Sequence, residues 1–119
     1  MGLINLEPTL RDGEQIRWRK PAAHCVSERT VPGTLFVTTQ ALVFMPNRLN
    51  RRRDLVAHRI AVADVESVGV QERSATITQR AALRRRVRVR TAIGDTFLFV
   101  VNNPDAAARE LSTLLHDGS

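Results

Sequence analysis

The sequence predicts an all-β domain of seven short strands that is followed by one C-terminal amphipathic helix. Two observations carry this prediction: apolar and polar side chains alternate in several short runs, and an apolar stripe at helical spacing ends the chain. The 119 residues are enough for one hydrophobic core, so we expect a single domain over 1–119. This order of elements favours a barrel or sandwich with the helix covering one open end.

The segment 33–46 is the most informative part of the chain because it has the pattern of a hairpin. Two apolar runs flank the polar pair Thr39-Gln40, and a loop of two or four residues at that point keeps one register. This register places two apolar pairs on one side of the hairpin: Leu35 with Phe44, and Val37 with Leu42.

A first strand is expected over 15–20, where Ile16 and Trp18 alternate with arginines. Trp18 therefore belongs to an apolar face, and we expect it to pack in the core; the alternative is that it anchors in a membrane interface or in a partner pocket. The prolines and polar residues of 21–32 break the alternation and predict a long loop before the hairpin.

Further strands are expected over 56–62, 65–70 and 83–91, with a loop over 71–82. A three-residue turn follows at 92–94, with Gly94 in the left-handed last position. That turn sets the last two strands in register and fills a core with two pairs: Val89 against Phe97, and Val87 against Phe99.

The helix is expected to begin at Pro104 and to end at His116. Asn103 is a suitable N-cap, proline is favoured at the first helical position, and Asp105 lies near the positive end of the helix dipole. One face carries the apolar residues at helical spacing: Ala107, Leu111, Leu114 and Leu115.

The net charge of +6 is unevenly distributed. Segment 48–54 carries four arginines and one aspartate, and segment 80–90 carries six arginines and no acid, so the rest of the chain is slightly acidic. Basic surfaces attract phosphate groups, and the planar guanidinium binds two phosphate oxygens at once. Lys20 is the only lysine, so a coding bias toward arginine on a solvated surface is the alternative explanation.

The sequence also indicates a compartment. No apolar run approaches the ~20 residues of a membrane span, and residues 1–6 lack the basic start and apolar core of a signal peptide. The single cysteine, Cys25, has no partner for an internal disulfide. We therefore expect a cytoplasmic protein, with peripheral association at the inner face of the membrane if lipid is its ligand.

Several short motifs are similar to those of GRAM domains and bacterial pleckstrin-homology-like domains. They are Leu10–Ile16 with its Gly13-Glu14, the 33–46 hairpin, Ile60-Ala61-Val62 leading into Asp64-Val65, Gly94-Asp95-Thr96-Phe97, and the closing helix. The resemblance covers nearly the whole chain and implies a seven-stranded barrel capped by the helix. It also implies a binding module for anionic lipid or for protein.

The same resemblance suggests where an anion would bind. In the superfamily the loops after the first and third strands lie at one open end of the barrel. In this chain the corresponding loops are 21–32 and 47–55. This places five arginines at one rim as candidate lipid-binding residues: Arg29, Arg48, Arg51, Arg52 and Arg53. Family members that bind phosphoinositides also carry basic residues on the first strand, where this chain has Arg17, Arg19 and Lys20, but the second strand has Phe36 and Val37 in place of a basic residue.

The alternative function is protein interaction through the 83–91 strand. Its outer face would carry Arg84, Arg86, Arg88 and Arg90, with Leu98 and Val100 beside them. Arginine mixed with exposed apolar side chains is typical of interfaces, unless the helix or another strand covers the apolar pair. Nucleic acid is an unlikely partner because the arginine-rich segments contain no aromatic residues on which bases could stack.

No catalytic, cofactor or metal site is expected, so the sequence predicts that the chain is not an enzyme. His24 and Cys25 are adjacent, but His58 and His116 belong to other elements and no spacing typical of metal ligands is present. Asp64 and Glu66 could share a strand face, without any sign of an acid–base pair. The glycines stand alone, so no phosphate-binding loop is predicted, and the sequence makes no prediction about oligomeric state.

Overall fold

The computed structural model describes residues 8–26, 29–47, 57–72 and 85–116. These residues form seven strands, a one-turn 3-10 helix at Val62–Asp64 and one α-helix. The strands and the helix are β1 Ile16–Val26, β2 Arg29–Thr38, β3 Ala41–Pro46, β4 His58–Ala61, β5 Val65–Gln71, β6 Arg86–Thr91, β7 Thr96–Val100 and α1 Pro104–His116.

The strands form one antiparallel sheet in the order β4-β3-β2-β1-β7-β6-β5. Its two edges, β4 and β5, are consecutive in the chain and are joined by the 3-10 turn, but they do not pair with each other. The expected barrel is therefore an open sheet that folds over its own inner face. Phe44 of β3 and Phe99 of β7 meet there with ring centroids 5.7 Å apart.

The β2–β3 hairpin has the predicted register, with Leu35 opposite Phe44 and Val37 opposite Leu42. These four side chains lie in the main core. The other face of the hairpin is also buried, because Phe36 and Val43 form a second, smaller apolar cluster. Burial on both faces explains why this segment reads as two nearly continuous apolar runs.

The predicted loop over 21–32 is wrong. β1 continues to Val26, β2 begins at Arg29, and these two residues pair at the end of a long hairpin. β1 pairs with β7 only through Ala23 and His24, so its other edge is free as far as Ala22. A strand tolerates a proline where its edge is unpaired, which explains Pro21.

The second half of the sheet has the predicted pairing of Val87 with Phe99 and Val89 with Phe97. Gly94 adopts the expected left-handed conformation in the connecting turn, with φ of +96°. The predicted strand over 56–62 is shorter, since β4 ends at Ala61 and Val62 begins the 3-10 turn. Residues 56, 83 and 84 lie outside the described part of the chain.

The helix has the predicted bounds, and its Asn103 side chain accepts a hydrogen bond from the Ala106 amide at 3.5 Å. Leu111 and Leu115 are buried in the core against β5, β6 and β2, and Leu114 packs at its edge. The helix packs on β5, β6 and β2 and so covers one end of the folded sheet.

Candidate functional site

A groove of about 400 Å³ lies where the end of β7 separates from β1. Small or rigid side chains leave this space open along the middle of β1 and β2. Lys20, Asn47 and Asn102 are its polar side chains. The remaining lining residues are apolar or glycine: Pro21, Ala22, Ala23, Pro32, Gly33, Val100 and Val101. The groove therefore offers one cationic group and two amides above an apolar floor.

Asn47 fixes the position at which the chain leaves this groove. Its backbone N–H donates to the carbonyl oxygen of Pro32 at 2.9 Å, just beyond the pairing of Pro46 with Gly33. Four of the predicted anion-binding arginines follow within the next six residues and lie outside the described part of the chain: Arg48, Arg51, Arg52 and Arg53. The structure thus places Asn47, the residue before the arginine-rich segment, at the wall of a groove that contains Lys20.

Arg29, the fifth predicted residue, is the first residue of β2. It lies on the same strand as Pro32, at the end of the hairpin it forms with Val26. Strand β2 runs antiparallel to β3, so the beginning of β2 and the end of β3 lie toward the same end of the sheet. The grouping of the five arginines at one rim stays a prediction, because four of them lie outside the described residues.

The basic residues of β1 do not converge on one point. Lys20 lines the groove. Arg19 is exposed, with its guanidinium carbon 5.5 Å from the centre of the Phe36 ring on the outer face. Arg17 lies nearer to the helix. The basic residues that the resemblance pointed to on the first strand therefore do not form one cluster.

The proposed partner-binding row on β6 differs from the prediction. Arg86 is buried and its Nη2 donates to the Glu72 carbonyl oxygen at 3.1 Å, while Arg88 is half-buried with Nη1 donating to Gln71 Oε1 at 3.2 Å. Only Arg90 of the three described arginines is exposed, and Arg84 lies outside the described residues. Arg88 and Arg86 thus donate hydrogen bonds to the last residue of β5 and to the residue that follows it. Leu98 and Val100 are half-buried.

A cluster of rings fills the inner face near the end of the β1–β2 hairpin. The His24 ring meets the His58 ring edge to face with centroids 4.9 Å apart, and it also contacts three phenylalanines: Phe44, Phe97 and Phe99. Burial, reinforced by the neighbouring His58, lowers the pKa of His24 to about 4. His24 is therefore a neutral core residue at pH 7.

Comparisons with known proteins identify the fold. No protein-family model matches the chain, and no curated protein matches it. The Vps36 N-terminal PH domain superposes with a TM-score of 0.67 at 12% identity, over 97% of this chain and 89% of that one. The hSac2 domain from human phosphoinositide phosphatase Sac2 superposes with 0.63 at 14% identity, over 92% and 72%. The chain has a pleckstrin-homology-like fold.

A third solved structure of the same shape is the C-terminal domain of an unknown protein from Leishmania infantum. It superposes with a TM-score of 0.65 at 17% identity, over 87% of this chain and 86% of that one. At these identities the similarity concerns the fold alone. The predicted pleckstrin-homology-like architecture is confirmed, and the narrower GRAM assignment stays a prediction.

The Gly13-Glu14 motif of this pleckstrin-homology-like domain has a structural role that sequence reasoning missed. The buried Glu14 carboxylate accepts hydrogen bonds from the Arg11 amide at 2.9 Å, from Thr38 Oγ1 and from Arg59 Nη2 at 2.8 Å. Burial alone would raise the pKa of Glu14, but these hydrogen bonds and the Arg59 charge outweigh it and lower the pKa to about 2. The carboxylate therefore ties the first turn to β2 and β4.

Cys25 is a half-buried residue of β1 rather than a loop residue, and burial raises the pKa of its thiol. Its neighbour His24 points to the opposite face of the strand, into the ring cluster. Among the described residues no three metal-ligating side chains come together. Within the same residues, no helix is both long and apolar enough to cross a membrane.

Proposed function

We propose that this pleckstrin-homology-like domain is a non-catalytic binding module that associates with anionic lipid head groups at the inner face of a membrane. The carrying observation is the position of Asn47, which lines the groove and is held to Pro32 immediately before the arginine-rich segment. Lys20 in the groove and the four arginines that follow Asn47 in the sequence would then bind the same phosphate-bearing surface.

The charge of this region supports a surface contact rather than a single deep site. Segment 48–54 has a net charge of +3, and Lys20 adds one more positive charge from the groove. Each basic residue near an anionic leaflet contributes about 1 kcal/mol, so four arginines and one lysine give weak but useful attraction. This attraction weakens as salt screens it, because the Debye length is about 8 Å at physiological ionic strength.

The groove itself would contribute limited chemical selectivity. Among the described residues, Lys20 is the one charged side chain that lines it, and the amides of Asn47 and Asn102 can donate hydrogen bonds to phosphate or hydroxyl oxygens. A site that recognises one inositol phosphate would bring several basic side chains to one point. The proposed ligand class is therefore anionic head groups in general, with their density on the membrane setting the affinity.

Vesicle sedimentation tests this function. The wild-type protein is expected to sediment with vesicles that contain phosphatidylserine at low salt, to dissociate as salt rises, and to remain in solution with neutral vesicles. The variant Arg51→Ser/Arg52→Ser/Arg53→Ser should lose most of this binding. A control variant with equal charge loss at three exposed sites elsewhere, Arg11→Ser/Arg90→Ser/Arg109→Ser, should lose much less.

The outcomes separate lipid binding from protein binding. Equal losses in the two triple variants would mean that net charge, rather than the 48–53 segment, drives association. No binding of the wild-type protein to anionic vesicles at low salt would contradict the lipid function and leave a protein-interaction module as the better account.

A further inference from the structure

A second groove, of about 380 Å³, lies between β1 and the outer side of α1 and shares no residue with the first. It is lined by Arg17, Trp18, Arg109, Glu110, Thr113 and Leu114. Trp18 and Leu114 supply an apolar floor that is continuous with the main core. The volume suits a few side chains of a partner, since it lies at the lower end of the range for ligand pockets.

A hydrogen bond holds this groove in shape. Trp18 Nε1 donates to Glu110 Oε1 at 2.8 Å and fixes the indole ring against the helix. The bond also occupies one oxygen of Glu110, the one carboxylate among the described residues that line the groove. The apolar surface of Trp18 is therefore held in one orientation. A fixed orientation suits a residue that anchors a partner.

Two guanidinium groups flank the floor, and within the described part of the chain neither is hydrogen-bonded or paired at close range with a carboxylate. Arg17 and Arg109 are exposed and make no ion pair or hydrogen bond with the described residues. Asp105, one helical turn before Arg109, would be its natural partner. Both oxygens of that carboxylate are instead bonded to Arg85, at 2.6 and 2.8 Å. Asp105 therefore acts on Arg109 through its charge alone, and the N–H groups of Arg109 remain available to an external acid.

We propose that this groove binds an acidic segment of a partner protein, with one large apolar side chain on Trp18 and carboxylates facing Arg17 and Arg109. Tryptophan and arginine are the residues that most often dominate the energy of protein interfaces. An anionic membrane fits less well, because the indole is half-buried and held against the helix by Glu110, so it cannot reach into lipid.

Trp18 itself reports on the site, because it is the only tryptophan of the chain. The experiment titrates the full chain with a short synthetic peptide in which glutamates surround a single leucine. Binding is measured by the anisotropy of the labelled peptide, and the tryptophan emission and its protection from iodide are followed in parallel. Two control peptides replace the leucine with serine or the glutamates with lysines, and phosphatidylserine vesicles form a further arm.

The acidic peptide is expected to bind, to shift the Trp18 emission and to shield it from iodide, whereas both control peptides bind at least about tenfold more weakly. Arg17→Ser/Arg109→Ser should weaken binding by a similar factor, and Arg11→Ser/Arg90→Ser, a pair outside the groove, should not. Absence of binding by the acidic peptide would overturn the proposal. Binding without any change in Trp18, or a Trp18 change produced only by vesicles, would also overturn it.

Discussion

Glu14 and Arg59 form an ion pair with the Oε2 and Nη2 atoms 2.8 Å apart, although 45 residues separate them in the chain. The same carboxylate is bonded to Thr38 and to the backbone of Arg11. This one side chain therefore connects the turn before β1, the end of β2 and the edge strand β4, and its removal should affect the whole first half of the sheet.

Glu14→Gln is expected to lower the free energy of unfolding by about 2–3 kcal/mol at pH 7, because hydrogen bonds to a charged acceptor are lost and Arg59 loses its counter-charge. Urea denaturation measures this change, with Glu66→Gln on the exposed face of β5 as the control.

The pH dependence of this effect follows from the pKa of Glu14, which is about 2 in the folded state against 4.5 for the free group. The advantage of the wild-type protein over Glu14→Gln should be complete above pH 4.5 and should shrink as the pH falls toward 2. A stability difference between the two proteins that stays constant from pH 4.5 to pH 2 would contradict this prediction.

His24 should titrate far below an ordinary histidine. Its folded-state pKa of about 4, against 6.5 when free, means that the unfolded chain binds a proton first as the pH falls. The contribution of His24 to stability is therefore complete above pH 6.5 and declines toward pH 4. An NMR titration of the His24 ring measures this pKa directly. His24→Phe, which cannot titrate, should lose less stability than the wild-type protein between pH 7 and pH 5, and parallel losses would refute the assignment.

Two glycines that both lie in strands should differ in their tolerance of alanine. A Cβ on Gly33 would lie 2.2 Å from the Met45 carbonyl oxygen and 2.9 Å from the Pro46 Cα, both of which are backbone atoms. A Cβ on Gly69 would meet only the Nη2 atom of Arg88, at 2.9 Å, which can move aside. Gly33→Ala should therefore destabilise the fold by about 1–3 kcal/mol or more, whereas Gly69→Ala should be nearly neutral. Thermal unfolding of the two variants compares them, and equal melting temperatures would count against the packing described for β2 and β3.

The helix should contribute strongly to stability through its buried face. Leu111 is fully buried, so Leu111→Ala should cost about 2–5 kcal/mol. Ile93 is 85% exposed in the β6–β7 turn, and Ile93→Ala provides the control for loss of an apolar side chain without burial. Denaturant unfolding should separate the two clearly. A cost near zero for Leu111→Ala would mean that the helix does not dock on the sheet.

Local patterns predicted much of the fold. Gly94 specifies the β6–β7 turn and through it the pairing of Val89 with Phe97. Asn103 and Pro104 mark the start of the helix, and the alternation around residues 39–40 sets the β2–β3 register. Each of these features depends on residues that are close in sequence.

Features that depend on distant neighbours were missed. Whether Pro21 fits inside a strand depends on where β7 stops pairing with β1, and the alternation in 21–32 does not contain that information. Buried Arg86 has its hydrogen-bond acceptor at Glu72, just after β5, and the Trp18–Glu110 bond joins residues 92 positions apart. The groove beside Asn47 is built from several strands by small side chains, which carry no recognisable motif.

We propose above that anionic head groups bind at the groove beside Asn47 and to the arginine-rich segment that follows this residue in the sequence. The most direct test is to follow the backbone amide signals of the labelled protein by NMR during titration with phosphatidylserine nanodiscs, with neutral nanodiscs as the control. We expect the largest changes at Lys20, Asn47, Asn102 and residues 48–53, and we expect them to diminish as salt is added. Changes centred on Arg88 and Arg90, or no selective change with the anionic nanodiscs, would contradict the claim.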